Sequence, residues 1–195
     1  MPVTLLSSLT PSPPTFNMLN DGSNIYWFHH KPSFPSLNPY LYDDIISRAN
    51  NSIDVWDPYF HAVDSVIFSN VRNNLVIKIL TSKGLTGANV NYVSNVIDAI
   101  KITIPKPKNT SFCLGVIDLS DQTKKDWDFH DRFLIIDNSE VYIIGASATA
   151  NYISKITSGI YKVQNPDTCN FIIDQFNIHW GQTTKEPPTI QFLHP

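Results

Sequence analysis

Cysteine is nearly absent from this chain. The two that occur, Cys113 and Cys169, make no disulfide framework and match no zinc-ligand spacing, so both read as buried, reduced thiols. Glycine is scarce as well, with seven residues, and none of them builds a Gly-rich nucleotide loop. An excess of positive charge is also lacking. Lys and Arg number 14 against 17 Asp and Glu, a formal net charge of −3, so no global positive field draws the chain to nucleic acid or anionic lipid. A polyanion would have to be held by a local patch. No apolar run approaches the roughly 20 residues that a membrane span requires. The N-terminal "MPVTLLSSLTPSPPTF" has no basic start and a broken apolar run, unlike a secretory signal. These absences lead to an expectation of a cytoplasmic protein with no membrane partner.

What is present is an alternation of strand-like and helix-like segments. Residues 1–37 are rich in Pro and Ser and read as an arm, within which "NIYWFHH" is apolar enough for a short strand. The main domain is expected over 38–182 and a polar tail over 183–195. "NPYLYDDIISRAN" predicts a helix, with Asn38 as N-cap and Pro39 at the first helical position. "SIDVWDPYF" predicts a strand stopped by Pro58, and "DSVIFSNVRNN" a short helix. "LVIKILTSKG" has the near-continuous apolar character of a fully buried, parallel-type strand. A helix over 88–102, a strand at "TSFCLGVIDL", a hairpin over "FHDRFLIID" and "VYIIGAS", and a last helix at "PDTCNFIIDQFNIHW" complete the pattern. Strands alternating with helices, interrupted by a hairpin, predict an α/β sandwich around a mixed sheet.

The stretch "FHDRFLIIDN", residues 129–138, carries the chemistry. Side chains alternate along a strand, so His130 and Arg132 share a face while the residues from Phe133 to Ile136 run into a core. Such a pair is either the polar mouth of an ordinary edge strand or half of a phosphate-handling site.

His130-x-Arg132-x4-Asp137, followed by a strand ending in Gly145-Ala146-Ser147, resembles the H-x-K-x4-D signature of the phospholipase D superfamily. The order of the upstream strands is similar too, so the resemblance spans roughly 38–180. It is nearest to the small single-motif members of bacteria and phages. The implied fold is a phospholipase D-like α/β/α sandwich, and the implied activity a phosphodiesterase, most naturally a nuclease on DNA or RNA. A histidine can attack a phosphodiester and carry the phosphoryl group covalently, which splits one hard displacement into two easier ones. A fixed cation beside it stabilises the charge on the non-bridging oxygens, with no need for a metal or other cofactor. The superfamily's site takes two such motifs and this chain has one, so a two-fold homodimer is implied, and isologous dimers are the commonest assembly of soluble oligomers.

The resemblance assigns His130, Arg132, Ser147 and Asp137 to the catalytic group and Gly145 to the phosphate-binding turn. Asp137 would open the turn after its strand, where an aspartate caps backbone N–H groups. Lys83, at the end of a strand, is a candidate phosphate contact, because α/β ligand sites form at strand ends. Three departures from the family pattern stand out. Arg132 occupies the lysine position, and a planar fork is not a point charge. The Gly-Ala-Ser turn is offset by one residue. No glutamate occurs in 148–185 to orient the histidine, which leaves Asp57, Asp167 and Asp174 as candidates. The alternative reading is a degenerate domain of the same fold that binds nucleic acid or protein, or dimerises, without catalysis.

Overall fold

The computed structural model describes residues 25–29, 37–83, 91–103, 109–118, 131–145, 157–181, 183 and 189–192. Among the described residues eight strands make one sheet: β1 Ile25–His29, β2 Ser52–Trp56, β3 Val76–Lys83, β4 Thr110–Asp118, β5 Arg132–Ile136, β6 Glu140–Ile144, β7 Thr157–Lys162 and β8 Thr189–Phe192. Their order across the sheet is β1-β7-β6-β5-β2-β3-β4-β8. The β2–β3 and β3–β4 pairs are parallel, and all the others are antiparallel. Helices α1 (Leu37–Ile46), α2 (Tyr92–Thr103) and α3 (Pro166–Trp180) and a 3₁₀ helix over Ala62–Phe68 flank it.

Alternation along the strands sorts the core into two layers. Ile53 and Val55 of β2, Ile77 and Ile79 of β3 and Leu134 and Ile136 of β5 pack with Tyr42 and Ile45 of α1, Phe68 of the 3₁₀ helix and Val96 and Ile100 of α2. The intervening Trp56, Leu80, Ile117, Ile135 and Val141 face Cys169, Ile172, Ile173 and Phe176 of α3. Helices therefore cover both faces of a mixed sheet, as the alternating segments predict. β3 is near-continuously apolar over Val76 to Leu80, interrupted at Lys78, because both of its faces are covered. α3 presents its buried residues at the i, i+3, i+4, i+7 spacing of one helical stripe. Its start is local chemistry: Asn165 Oδ1 accepts the Thr168 N–H at 3.0 Å, and Pro166 takes the first helical position.

The hairpin between β5 and β6 turns at Asp137 and Asn138, whose φ values of 51° and 50° are those required of the central pair of a type I′ turn. The Asp137 carboxylate also leaves the hairpin. It accepts the backbone N–H groups of Asn50 (2.9 Å), Asn51 (2.7 Å) and Ser52 (2.8 Å) at the entrance to β2.

Several elements differ from the sequence expectation. α1 begins at Leu37, one residue before the expected Asn38 cap, a displacement within the usual ambiguity of helix ends. The segment after Pro58 is a 3₁₀ helix, closed by tight bonds such as Ser69 N–H to Val66 O at 3.1 Å. β7 was not anticipated, because "TSGIYK" has little alternation and becomes a strand by pairing with β6 and β1. β1 is the short strand expected within "NIYWFHH", whereas β8 falls in the stretch read as a tail. Both are edge strands of the same sheet.

Candidate active site

Parallel strands β2, β3 and β4 all end at one edge of the sheet, the edge at which α/β folds place ligands. β5 runs antiparallel to β2 and therefore begins there. With Trp56 registered against Phe133, Asp57 falls opposite Arg132. Arg132 in turn pairs with Ile144, which brings Gly145, exposed in a bend, to the same edge. β3 reaches this edge with Lys83 as its last residue. Residues far apart in the chain are thus gathered by strand register alone.

The centre of this edge is an ion pair. Arg132 Nε donates to Asp57 Oδ1 at 3.0 Å, with the two side chains 18% and 8% exposed. Asp57 Oδ1 also accepts the Tyr59 N–H at 2.8 Å. The Tyr59 ring lies against the guanidinium, 4.9 Å from Arg132 Cζ to the ring centroid, within cation–π range. The backbone here is tied down as well: the Asp57 N–H donates to Leu80 O at 3.0 Å, and Ser82 Oγ donates to Pro58 O at 2.9 Å. Segment 57–59 is therefore anchored to β3 before it touches Arg132.

Close to the pair is a cluster of buried polar groups, Asp64, Tyr42 and Tyr92. Asp64 is 1% exposed and accepts the His61 N–H at 2.7 Å. The Tyr92 hydroxyl donates to Phe60 O and lies 3.2 Å from Thr81 Oγ1. Burial pushes the Asp57 carboxyl up to about 6, and the Arg132 charge and the Tyr59 N–H pull it back only in part. Burial, reinforced by the charges of Asp57 and Asp64, raises the Tyr42 phenol far above its ordinary value. The Tyr92 phenol is raised for the same leading reason. Both tyrosines stay neutral near neutral pH.

The residues expected from the sequence are distributed as follows. Arg132, Asp57, Gly145 and the end of β3 at Lys83 meet at one edge. Asp137 does not: it lies at the opposite end of β5, where its carboxylate caps β2. His130 and Ser147 lie outside the described residues. Asp167 and Asp174 are exposed on α3, in the layer that covers the other face. His179 is also on α3, its ring 5.1 Å from Trp56 in a packing contact. Both cysteines are free thiols. Among the described residues no three of His, Cys, Asp or Glu gather as metal ligands, and no helix is long and apolar enough to cross a membrane. Tyr59, Asp64 and Tyr42 escaped the sequence reading. "DPYF" carried a signal for Tyr59, an aromatic just after the proline that ends a site strand, whereas Asp64 and Tyr42 had none.

No protein-family model matches the chain, and no curated protein does. Solved structures do match. Nuc from Salmonella typhimurium, a phospholipase D family member, superposes with a TM-score of 0.52 at 14% identity, over 85% of this chain and 99% of that one. NucT from Helicobacter pylori gives 0.49 at 16% identity, over 83% and 98%. TrmBL2, an archaeal chromatin protein whose structure shows a novel mode of DNA binding, gives 0.45 at 17% identity; the match takes in 84% of this chain but only 53% of that one. The fold is phospholipase D-like.

Proposed function

We propose that this chain is a phosphodiesterase of the phospholipase D type, acting on DNA or RNA as a homodimer and without a metal. The observation that carries the reading is Arg132, held at the ligand-binding edge of a phospholipase D-like sheet and two positions after His130 in the sequence. Nuc, a phospholipase D family member, is among the solved structures similar to this chain.

In this mechanism an imidazole nitrogen of His130 attacks phosphorus. The P–N bond forms as the P–O bond to the leaving group breaks, and His130 of the second copy gives that oxygen its proton. The same histidine then takes a proton from water, which attacks phosphorus and releases the first His130. Arg132 stabilises the non-bridging oxygens in both steps. Asp137 has no part in the chemistry and holds the strand that carries it.

The test is hydrolysis of bis-p-nitrophenyl phosphate, single- and double-stranded DNA, and RNA, each in EDTA, by wild type and His130→Ala. The expected result is wild-type turnover that survives chelation and disappears in the variant. Turnover lost in EDTA and restored by zinc or magnesium would overturn the phosphohistidine route. A well-folded wild type that cleaves none of these, yet binds one of them, would establish the non-catalytic alternative.

A further inference from the structure

We infer that Asp57 is the positioning residue of Arg132, and that the two form one unit that ties this site to arginine where the signature has lysine. This rests on the catalytic reading above and adds to it a residue that the signature does not contain.

Two contacts from one short segment restrain the guanidinium, and a third fixes the carboxylate that makes one of them. Asp57 Oδ1 takes the Nε–H at 3.0 Å, the same oxygen is fixed by the Tyr59 N–H at 2.8 Å, and the Tyr59 ring covers the guanidinium at 4.9 Å. Since the Asp57 N–H is bonded to β3, the carboxylate sits on a rigid support. A guanidinium carries five N–H donors and the bond to Asp57 uses one of them, on the nitrogen nearest the stem. The Nη groups beyond it are not part of that bond and are oriented by it. Lysine has no donor along its stem. An ammonium at position 132 would have to serve either Asp57 or a phosphate, and binding Asp57 would cancel the charge the reaction uses.

Asp57 itself argues against a direct role in binding a diester. Its carboxylate is 8% exposed, it is already bonded to Arg132, and its charge would repel a phosphate. A buried carboxylate beside the cation is useful only if it fixes where that cation points. The departure at Arg132 and the presence of Asp57, 75 residues away, are then two halves of one arrangement.

The experiment is a double-mutant cycle of Asp57→Asn, Arg132→Lys and the pair, with kcat and KM on bis-p-nitrophenyl phosphate and a thermal melt for each protein. Each single variant is expected to lower kcat ~10–100-fold, the scale of a misplaced catalytic group, while KM changes little. The double variant is expected to be no worse than the poorer single one by more than about threefold, because the two residues act as one unit. Arg132→Lys leaves Asp57 in place and carries the test if Asp57→Asn unfolds. In parallel, the Arg132 Nε–H resonance of ¹⁵N-labelled protein, identified by its absence in Arg132→Lys, is expected to shift in Asp57→Asn. Folded Asp57→Asn with wild-type kcat, Arg132→Lys at or above wild type, or an unshifted Nε–H would each overturn the inference. A wild type without activity would instead overturn the catalytic reading, while the resonance would still decide the pairing.

Discussion

Asp137 Oδ1 accepts the backbone N–H of Ser52 at 2.8 Å, joining the turn after β5 to the first residue of β2. The same oxygen takes the Asn51 N–H, and Oδ2 takes that of Asn50. β5 and β2 are antiparallel neighbours whose other ends bring Arg132 opposite Asp57. A carboxylate at one end of the pair thus fixes the register that assembles the site at the other. Asp137→Ala removes a charged acceptor from three backbone donors, and we expect a loss of about 2 kcal/mol, because those near the surface recover bonds to water. Urea unfolding measures it. Burial tends to raise the Asp137 carboxyl, but the three backbone donors outweigh it and hold the group below its ordinary value. Its contribution is therefore full above the unfolded pKa and is lost as pH falls through the folded one.

Asp54 titrates in the opposite sense. It lies in β2 on the face toward α3, 1% exposed, with Lys78 Nζ 4.0 Å from Oδ1 and no hydrogen-bond donor to that oxygen among the described residues. Burial pushes its carboxyl up to about 6, and Lys78 offsets this only in part. Between the ordinary carboxylate value and about 6 the native state binds more protons than the unfolded one. The stability from the protonated form is thus present at low pH and lost as pH rises through about 6. Asp54→Asn is expected to flatten this fall and to gain roughly 2 kcal/mol relative to wild type at pH 8. Unfolding curves at pH 5 and pH 8 check it; an unchanged slope would refute it.

Gly115 of β4 lies close against Trp180 at the end of α3. A Cβ built there would meet Trp180 Cζ3 and Thr183 Cγ2, each at 2.8 Å. Trp180 stacks on Phe176, so its ring has little room to retreat. Gly115→Ala is expected to cost ~1–3 kcal/mol by overpacking. It should also shift the tryptophan fluorescence, because the indole must move. A variant with wild-type melting and emission would mean that this end of the helix is free to adjust.

Truncating the guanidinium tests the proposed chemistry directly. Arg132→Ala is expected to reduce kcat ~10²–10³-fold, the loss typical of one electrostatic contact to a transition state, with a much smaller change in KM. The variant also leaves Asp57 buried and unpaired, so a melting curve must accompany the kinetics. A folded variant with wild-type turnover would reduce the likeness to the phospholipase D family to one of fold.

Assembly follows from the single motif. Light scattering at micromolar concentration is expected to give a mass of twice 22.0 kDa. Mixing His130→Ala with wild type should then lower activity per wild-type chain, since mixed dimers would hold one histidine. A strict monomer with full activity would end the two-histidine mechanism.

The sequence by itself determined what depends on neighbours along the chain. The β5–β6 hairpin was legible because an apolar run, a short polar turn and a second apolar run are contiguous. α3 was legible from its apolar stripe, and β3 from a near-continuous apolar run. The charged pair at the site was half legible: Arg132 stood out by its spacing from His130 and Asp137, and Asp57 only as a polar residue at a strand end. What joins them is tertiary. Placing β5 beside β2, antiparallel and in a register that opposes Asp57 to Arg132, depends on backbone bonds between strands whose paired residues run from Trp56 with Phe133 to Ile53 with Ile136. No local propensity encodes such a pairing. β7 and β8 became strands for the same reason, each completing the hydrogen bonds of a neighbour and not by its own preference. Burial is tertiary as well: only the packing of α1 and the 3₁₀ helix over the sheet makes Asp57 and Asp64 interior groups, and it is that loss of water, not their identity, that raises the Asp57 pKa.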